Sequence, residues 1–164
     1  MSKRTISLVY YWITTIGWAM IIFYLSSQPD LHIVENQWDL ILRKAAHVFF
    51  FAILTILTYR SLLWTVRTKV KQFDLRKDYD ATIIIKTLLL IITVLAVLLY
   101  AAFDEYHQSL VPTRVGSIND VLIDGFGILI TAGLLFNVGV LAEVEHRFAR
   151  KGWAILSGDK YYGE

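Results

Sequence analysis

TIIIKTLLLIITVLAVLLYAAF, residues 82–103, decides the fold of this chain. A helix needs about 20 mostly apolar residues to cross the hydrocarbon core of a bilayer, and this run is long enough. Three further runs qualify: Thr5–Leu25, Lys44–Trp64 with its approach from Trp38, and Ile118–Leu141. The sequence therefore predicts an all-α integral membrane protein, a four-transmembrane-helix bundle with spans at about 5–25, 42–64, 82–104 and 118–141. In a chain of 164 residues no separate water-soluble domain remains, so we expect one membrane domain.

The composition agrees with a membrane protein, because 56% of the residues are hydrophobic and the mean hydropathy is +0.53. A water-soluble domain of this length is rarely so apolar. The first run, although preceded by Lys3 and Arg4, is longer than the apolar core of about 7–15 residues in a signal peptide. No small-x-small cleavage motif follows it, so we interpret it as an anchor. The chain has no cysteine, which excludes disulfides and thiolate chemistry.

The placement of charge predicts the orientation in the membrane. Lys and Arg gather before the first run, between the second and third runs, and after the fourth. Such an excess beside the spans marks the cytoplasmic side. We therefore expect a multi-pass plasma-membrane protein with both termini in the cytoplasm and the loops at 26–43 and 104–117 outside. We also expect Asp30–Leu40 to be re-entrant or interfacial, and the cytoplasmic tail, residues 142–164, to form an interfacial helix.

Polar residues gather on the predicted external side. This side has the acids Asp30, Glu35, Asp39, Asp104, Glu105, Asp120 and Asp124, against the bases Arg43, Lys44 and Arg114. A charge at membrane depth is costly unless it is paired or hydrated. One such charge is readily explained by snorkelling or by a structural ion pair. The convergence of so many from different spans favours a functional cavity.

The second span opens with the motif Leu42-Arg43-Lys44-Ala45-Ala46-His47. Lys44 and His47 are three apart and Arg43 and His47 are four apart, so each pair shares a helical face. A lone histidine among phenylalanines is more often a hydrogen-bonded core residue than a catalyst. Beside Lys44 and an acid from another span, His47 becomes a candidate phosphate or carboxylate ligand, or an acid–base group. Lys44 alone can instead snorkel to the interface.

The third span ends with Asp104 and Gln108 on one face, while Glu105 points about 100° away. Pro112 breaks the helix, and the turn returns Arg114 toward the membrane. A guanidinium suits bidentate binding of carboxylate or phosphate. An Arg114–aspartate pair that merely holds the loop is an equally good interpretation.

The fourth span begins at a predicted N-cap, Ser117, with Asp120 as the partner in a capping box. This explains Asp120 but not Asp124, which is one turn deeper on the same face. Two acids at i,i+4 repel unless a cation, a proton or an arginine lies between them. Gly127 allows a neighbouring helix to approach closely.

These residues in this order resemble the VanZ-like family of membrane proteins, from about residue 10 to 140. The matching motifs are Ser26-Ser27-Gln28-Pro29, Lys44-x-x-His47, Asp104-Glu105-x-x-Gln108-x-x-x-Pro112-x-Arg114-x-x-Ser117-x-x-Asp120, and Asp124-x-x-Gly127. Two positions depart from the family pattern. Phe51 replaces a usual tyrosine, which removes a hydroxyl. Asp124 replaces a usual asparagine, and the added charge favours a cation or a shared proton at Asp124. The family is linked to resistance against teicoplanin-type lipoglycopeptides. The resemblance implies a fold and a site, but not a reaction.

The leading hypothesis is a membrane-embedded enzyme that hydrolyses or transfers at a phosphate of a lipid-linked cell-envelope substrate, glycan or phospholipid, at the outer leaflet. Its catalytic candidates are Asp104, Glu105, His47 and Asp120, with Asp104 or Glu105 as the base. Its substrate-binding candidates are Lys44, Arg114, Arg43, Gln108, Ser26, Ser27, Gln28 and Asp124. If a divalent cation is the cofactor, Asp104, Asp120 and Asp124 are its expected ligands. Ser26 or Ser27 is a weaker candidate nucleophile, because nothing in the sequence places a base beside either.

Two other hypotheses remain. The same cluster can belong to a non-catalytic protein that binds a lipid head group or a lipoglycopeptide antibiotic. A proton-coupled transporter with Asp–His relays is the third, although four spans would then require a dimer. The expected partners are membrane lipids and a lipid-linked substrate carrying phosphate or glycan. No nucleic acid is expected, and an oligomer is compatible with the sequence.

Overall fold

The structure, a computed structural model, describes residues 3–29, 38–69, 79–112 and 114–157. Its elements are α1 (Lys3–Ser26), α2 (Asp39–Lys69), α3 (Tyr79–Gln108) and α4 (Ile118–Ser157), and these described ranges contain no strand. Each helix is long and apolar enough to cross a membrane, over Thr5–Ser26, Ile41–Arg67, Ala81–Gln108 and Ile118–Val138. The predicted all-α protein with four spanning helices is confirmed.

The described residues do not test several finer predictions. The re-entrant or interfacial segment was predicted over Asp30–Leu40, and residues 30–37 lie outside the described residues. Helix α4 continues past its apolar part to Ser157, as expected for a helical tail, and residues 158–164 lie outside the described residues. The interfacial position of this tail stays a prediction. So does the orientation of the chain across the membrane.

Helix α2 organises the bundle, since it packs against α1, α3 and α4, while α4 also packs against α3. The buried apolar core lies between the four helices and consists of Ile22, Phe51, Leu54, Val97, Ala101 and Ile128. Many large apolar side chains point outward instead, among them Ile13, Leu99 and Leu134. Such an outward apolar surface suits hydrocarbon as its solvent, where no hydrophobic force drives helices together.

Close packing of α4 on α2 positions the polar end of the bundle. A Cβ added at Gly127 would lie 2.9 Å from Val48 Cγ1 and 3.1 Å from the Val48 carbonyl oxygen. Only glycine allows this approach, as the sequence predicted for Gly127. The contact brings the preceding turn of α4, which carries Asp124, beside the turn of α2 that carries His47.

Side-chain hydrogen bonds to neighbouring backbones fix the position of α1. Trp18 Nε1 donates to the carbonyl of Phe50 on α2 at 2.9 Å, and the Tyr100 hydroxyl on α3 donates to the carbonyl of Ala19 at 2.7 Å. In a membrane, such interhelical bonds contribute roughly 0.6 to 2 kcal/mol each. They hold the C-terminal half of α1 against α2 and α3, next to the polar cluster.

Candidate functional site

Asp104 joins the end of α1 to the end of α3. The Ser26 hydroxyl donates to Asp104 Oδ2 at 2.8 Å, and Gln108 Nε2 donates to the same oxygen at 2.9 Å. The second bond confirms that Asp104 and Gln108 share a face. Asp104 is fully buried, and its Oδ1 has no hydrogen-bond partner among the described residues. The carboxylate predicted as a base therefore lies inside the bundle, and it is the partner of Ser26 that the sequence could not reveal.

Glu105 supports the start of α4. Its Oε2 accepts a hydrogen bond from the backbone N–H of Ser117 at 2.9 Å, and its Oε1 accepts one from Gln108 Nε2 at 3.2 Å. Ser117 Oγ accepts from the backbone N–H of Asn119 at 3.2 Å, which is the predicted N-cap. The reciprocal bond differs from the predicted capping box, because Glu105 rather than Asp120 receives the Ser117 N–H.

The turn after α3 packs tightly against the backbone of Glu105. A Cβ added at Gly116 would lie 2.3 Å from the carbonyl oxygen of Glu105, so no larger residue fits there without a shift of the backbone. The backbone N–H of Arg114 donates to the carbonyl of Val111 at 3.2 Å and closes the turn around Pro112. The predicted return of the chain toward the bundle therefore has a defined geometry.

Arg114 ties this turn to the C-terminus of α1. Its Nε donates to the carbonyl of Gln28 at 2.9 Å, one NH2 nitrogen to the carbonyl of Leu25 at 3.4 Å, and the other to Gln108 Oε1 at 3.2 Å. The last carbonyls of a helix lack intrahelical partners, and a guanidinium satisfies them. Burial lowers the pKa of Arg114 from its ordinary value, as does the neighbouring Arg43, while nearby carboxylates raise it. The group stays cationic, as arginine does in proteins.

Two basic residues near the start of α2, Arg43 and Lys44, have acidic partners. Lys44 Nζ pairs with Asp120 Oδ1 on α4, and both side chains are about one-third exposed. Arg43 Nε lies 2.8 Å from Asp39 Oδ2, one turn earlier on α2. The pairing of Lys44 explains why Asp120 does not complete the capping box.

His47 and Asp124 meet between α2 and α4. His47 Nδ1 lies 3.5 Å from Asp124 Oδ2, and the imidazole stacks on Phe51 with the ring centroids 6.3 Å apart. Asp124 is 1% exposed, and within the described ranges neither of its carboxylate oxygens has a hydrogen-bond partner. The carboxyl group of Asp124 is therefore deeply buried.

One group of potential metal ligands stands out among the described residues. Ligand atoms of His47, Glu105 and Asp124 all lie within 4.8 Å of one another. Of the three residues that the sequence suggested for a cation, only Asp124 belongs to this group. Asp104 faces Ser26 and Gln108, and Asp120 faces Lys44.

Ser27 and Gln28 bond mainly to their own helix end. The Ser27 hydroxyl donates to the carbonyl of Phe23 at 2.6 Å and lies 3.0 Å from His107 Nε2, and the Gln28 amide donates to the carbonyl of Tyr24 at 3.1 Å. The His107 ring stacks on Phe23 at 4.3 Å. The side chains of Ser27 and Gln28 thus make no contact with the charged residues of the site, although the backbone carbonyl of Gln28 accepts a hydrogen bond from Arg114.

Two adjoining cavities lie between these residues. The polar cavity, about 190 Å³, is lined by Arg43, Lys44, His47, Glu105, Gln108, Arg114, Val115, Asp120, Ile123 and Asp124. The apolar cavity, about 250 Å³, is lined by Ile22, Leu25, Ser26, Ala46, Phe50 and Phe51, together with the same Arg43, His47 and Arg114. These three shared residues form the wall between the cavities. Asp104 lines neither of them.

The sequence identified most residues of the polar cavity, but of the apolar cavity it identified only Ser26 and the three shared residues, and none of the apolar side chains. Ile22, Leu25, Phe50 and Phe51 belong to spans in which nearly every residue is apolar. Nothing in such a run distinguishes a side chain that lines a cavity from one that faces lipid. The Asp39–Arg43 pair was also missed, although its i,i+4 spacing was a usable signal.

Comparison with known proteins gives a family and nothing narrower. A family model described as VanZ/LLP1 matches residues 8–141, well over half of the chain. Neither the curated proteins nor the solved structures that were compared with the chain include a significant match.

Proposed function

The chain belongs to the VanZ/LLP1 family, and from this premise we propose that it is a membrane-embedded enzyme acting on a lipid-linked substrate of the cell envelope. The reaction is hydrolysis or transfer at a phosphate of that substrate, whose remainder is a glycan or a phospholipid. The site is proposed to face the outer leaflet. The observation that supports this is the pair of adjoining cavities, one polar and one apolar.

An amphipathic ligand suits the two cavities. The polar cavity of about 190 Å³ has room for a phosphate with its substituents, given that one water occupies about 30 Å³ of liquid. The apolar cavity has the aliphatic and aromatic lining that a hydrocarbon chain requires. A phosphate between head and tail would then lie at the shared wall, against Arg43, His47 and Arg114. The positive charge of Arg43 and Arg114 favours an anion at that point.

The basic residues can bind a phosphate without leaving their present positions. The three side-chain hydrogen bonds of Arg114 use three N–H groups, and a guanidinium has five. Lys44 has three ammonium protons, and its described partner is Asp120. Both side chains line the polar cavity. They are the proposed phosphate clamps.

The proposed base is Glu105 rather than Asp104. Glu105 lines the polar cavity beside His47 and Asp124, whereas Asp104 lines neither cavity. A general base must reach the proton that it removes, directly or through one water. Asp104 is better assigned to positioning, since it holds Ser26 and Gln108 in place.

The test measures phosphate release by purified protein in nanodiscs of zwitterionic lipid. The substrates are phosphatidic acid, a polyprenyl phosphate and a polyprenyl diphosphate sugar, with water-soluble p-nitrophenyl phosphate as the control that lacks a tail. We expect release from at least one lipid and little from the control. Glu105→Gln should lower turnover by about 100-fold or more while lipid binding persists, because general-base catalysis contributes that much.

The alternative is a non-catalytic protein that binds a lipid head group or a lipoglycopeptide. The observation in its favour is that both proposed clamps already have partners, Lys44 in an ion pair and Arg114 in three hydrogen bonds. Saturable lipid binding by the wild-type protein without any phosphate release would favour this alternative and contradict the enzyme.

A further inference from the structure

The carboxylate of Asp124 is buried in the bundle without a hydrogen-bond donor among the described residues. It is 1% exposed, and neither oxygen accepts a hydrogen bond within the described ranges. Its contact with His47 Nδ1, at 3.5 Å, is longer than the usual N–H···O distance of about 2.7–3.2 Å. An ionised carboxylate buried in this way is strongly unfavourable, so a proton or a bound cation is expected to neutralise it.

We infer that His47, Glu105 and Asp124 form a binding site for one divalent transition-metal ion of the Mn²⁺ or Zn²⁺ type. Their ligand atoms already lie within 4.8 Å of one another. Three ligands that surround one such ion at about 2.0–2.2 Å lie about 3–3.8 Å from one another. The separation of His47 Nδ1 from Asp124 Oδ2, 3.5 Å, already fits this range, and the widest separation needs to contract by about 1 Å. One imidazole with two carboxylates suits these ions better than Ca²⁺ or Mg²⁺, which prefer oxygen alone.

The surroundings of Glu105 and His47 support a metal site. Each oxygen of Glu105 accepts one hydrogen bond, from Ser117 N and from Gln108, and each retains a further lone pair. Such outer hydrogen bonds orient metal ligands in proteins. The stacking of His47 on Phe51 restrains the imidazole in the same way.

The positive residues of the polar cavity do not prevent cation binding. Lys44 is paired with Asp120 and Arg43 with Asp39, so two of the three cations are compensated by their own acids. Three protein ligands leave coordination positions open toward the cavity. The binding itself rests on these residues alone, and it takes one oxygen of Glu105, so that the other oxygen remains the base of the proposed reaction. The use of the metal in polarising a phosphate oxygen rests on the proposed function.

The experiment titrates Mn²⁺ alone into metal-free protein in zwitterionic nanodiscs and follows free Mn²⁺ by electron paramagnetic resonance. We expect one saturable site. Asp124→Asn and His47→Gln should each weaken Mn²⁺ binding by about 100-fold or more, since even residues outside the ligand shell contribute about 10–100-fold. The double variant Lys44→Gln/Asp120→Asn is the matched control in the same cavity, because it removes an acid without leaving Lys44 uncompensated, and it should change binding by a few-fold at most.

Thermal unfolding separates a metal ligand from a structural ion pair. Without metal, Asp124→Asn should unfold at a higher temperature than the wild type, because it removes an uncompensated buried charge. Mn²⁺ should raise the unfolding temperature of the wild type and of the Lys44→Gln/Asp120→Asn variant, but not that of Asp124→Asn or His47→Gln. A metal-free Asp124→Asn protein that is less stable than the wild type would assign the carboxylate to a structural pair and overturn the inference.

Two further results would overturn the metal site: equal Mn²⁺ binding by wild type and Asp124→Asn, or no saturable binding at millimolar Mn²⁺. The metal site and the proposed function can fail separately. Mn²⁺ binding without phosphate release would leave the metal site intact and contradict the enzyme. Phosphate release that is unchanged after metal removal would support the enzyme and contradict a role of the metal in the reaction, while the Mn²⁺ titration alone decides whether the metal site exists.

Discussion

At the scale of single residues, the hydrogen bond from Ser26 to Asp104 is the buried polar link between α1 and α3. Ser26→Ala removes the donor and leaves Asp104 with Gln108 as its remaining described partner. A buried acceptor that loses its donor costs about 1–3 kcal/mol, so we expect a loss of stability of that size. Unfolding in mixed micelles by increasing SDS measures it.

Ser109→Ala is the matched control for this change, because the Ser109 hydroxyl is exposed and bonds only to the nearby carbonyl of Tyr106 among the described residues. Its effect should stay within about 0.5 kcal/mol. A Ser26→Ala protein as stable as Ser109→Ala would mean that Asp104 does not depend on Ser26.

Variants of Lys44 and Asp120 can distinguish whether Lys44 binds the phosphate or only neutralises Asp120. Lys44→Gln should lower phosphate release by about 100-fold, as the loss of one charge-stabilising donor does in other sites. If Lys44 only neutralised Asp120, adding Asp120→Asn would restore activity, because the pair would then be neutral on both sides. We expect no such recovery in the double variant, measured in the same nanodisc assay. Recovery to near the wild-type rate would remove Lys44 from the phosphate site.

Residue-scale prediction from sequence succeeded where the geometry is local. Helix periodicity alone places Asp104 and Gln108 on one face, and the hydrogen bond between them agrees. It does not decide whether Ser26 or Ser27 faces Asp104, or which acid meets Lys44. Those pairings depend on how each helix is rotated in the bundle, and they link positions far apart in the chain.

At the scale of helices, Gly127 determines how closely α4 lies on α2. Gly127→Ala would place a Cβ 2.9 Å from a methyl of Val48 and 3.1 Å from the Val48 carbonyl, so one helix must shift. We expect a destabilisation of about 1–3 kcal/mol, typical of overpacking. Thermal unfolding of the purified protein measures it.

The control is Gly133→Ala on the same helix, where an added Cβ has nothing within 4 Å. There the better helix propensity of alanine should stabilise by up to about 1 kcal/mol. Equal effects at the two positions would contradict the close approach at Gly127. The sequence predicted that Gly127 serves packing, but the partner Val48 follows only from the crossing of the two helices.

The existence of the four helices was predictable because the membrane imposes it. A span must satisfy its backbone hydrogen bonds internally, so a run of about 20 apolar residues has few alternatives to a helix. The arrangement of those helices is not imposed in this way. Apolar side chains inside the bundle and those facing lipid are chemically alike, and the apolar cavity beside Phe50 and Phe51 was missed for this reason.

At the scale of the whole molecule, the orientation in the membrane decides which leaflet supplies the ligand. Basic residues concentrate at the end of α2 and in the middle loop that follows it, at Arg67, Lys69, Lys71, Arg76 and Lys77. This excess predicts a cytoplasmic loop, with the Pro112 turn and both cavities at the external side. The absence of cysteine makes the prediction directly measurable, because any introduced thiol is the only one in the chain.

We expect an exposed thiol at Ser109→Cys to react with a membrane-impermeant maleimide on intact cells. A thiol at Arg67→Cys should react only after permeabilisation, since Arg67 lies at the opposite end of α2 from His47. The remaining basic residues of the middle loop keep the charge bias in this variant. The reverse labelling pattern would place both cavities at the cytoplasmic leaflet. The residues and their geometry would then be unchanged, but the substrate would have to be a lipid of the inner leaflet rather than one exported to the outer surface.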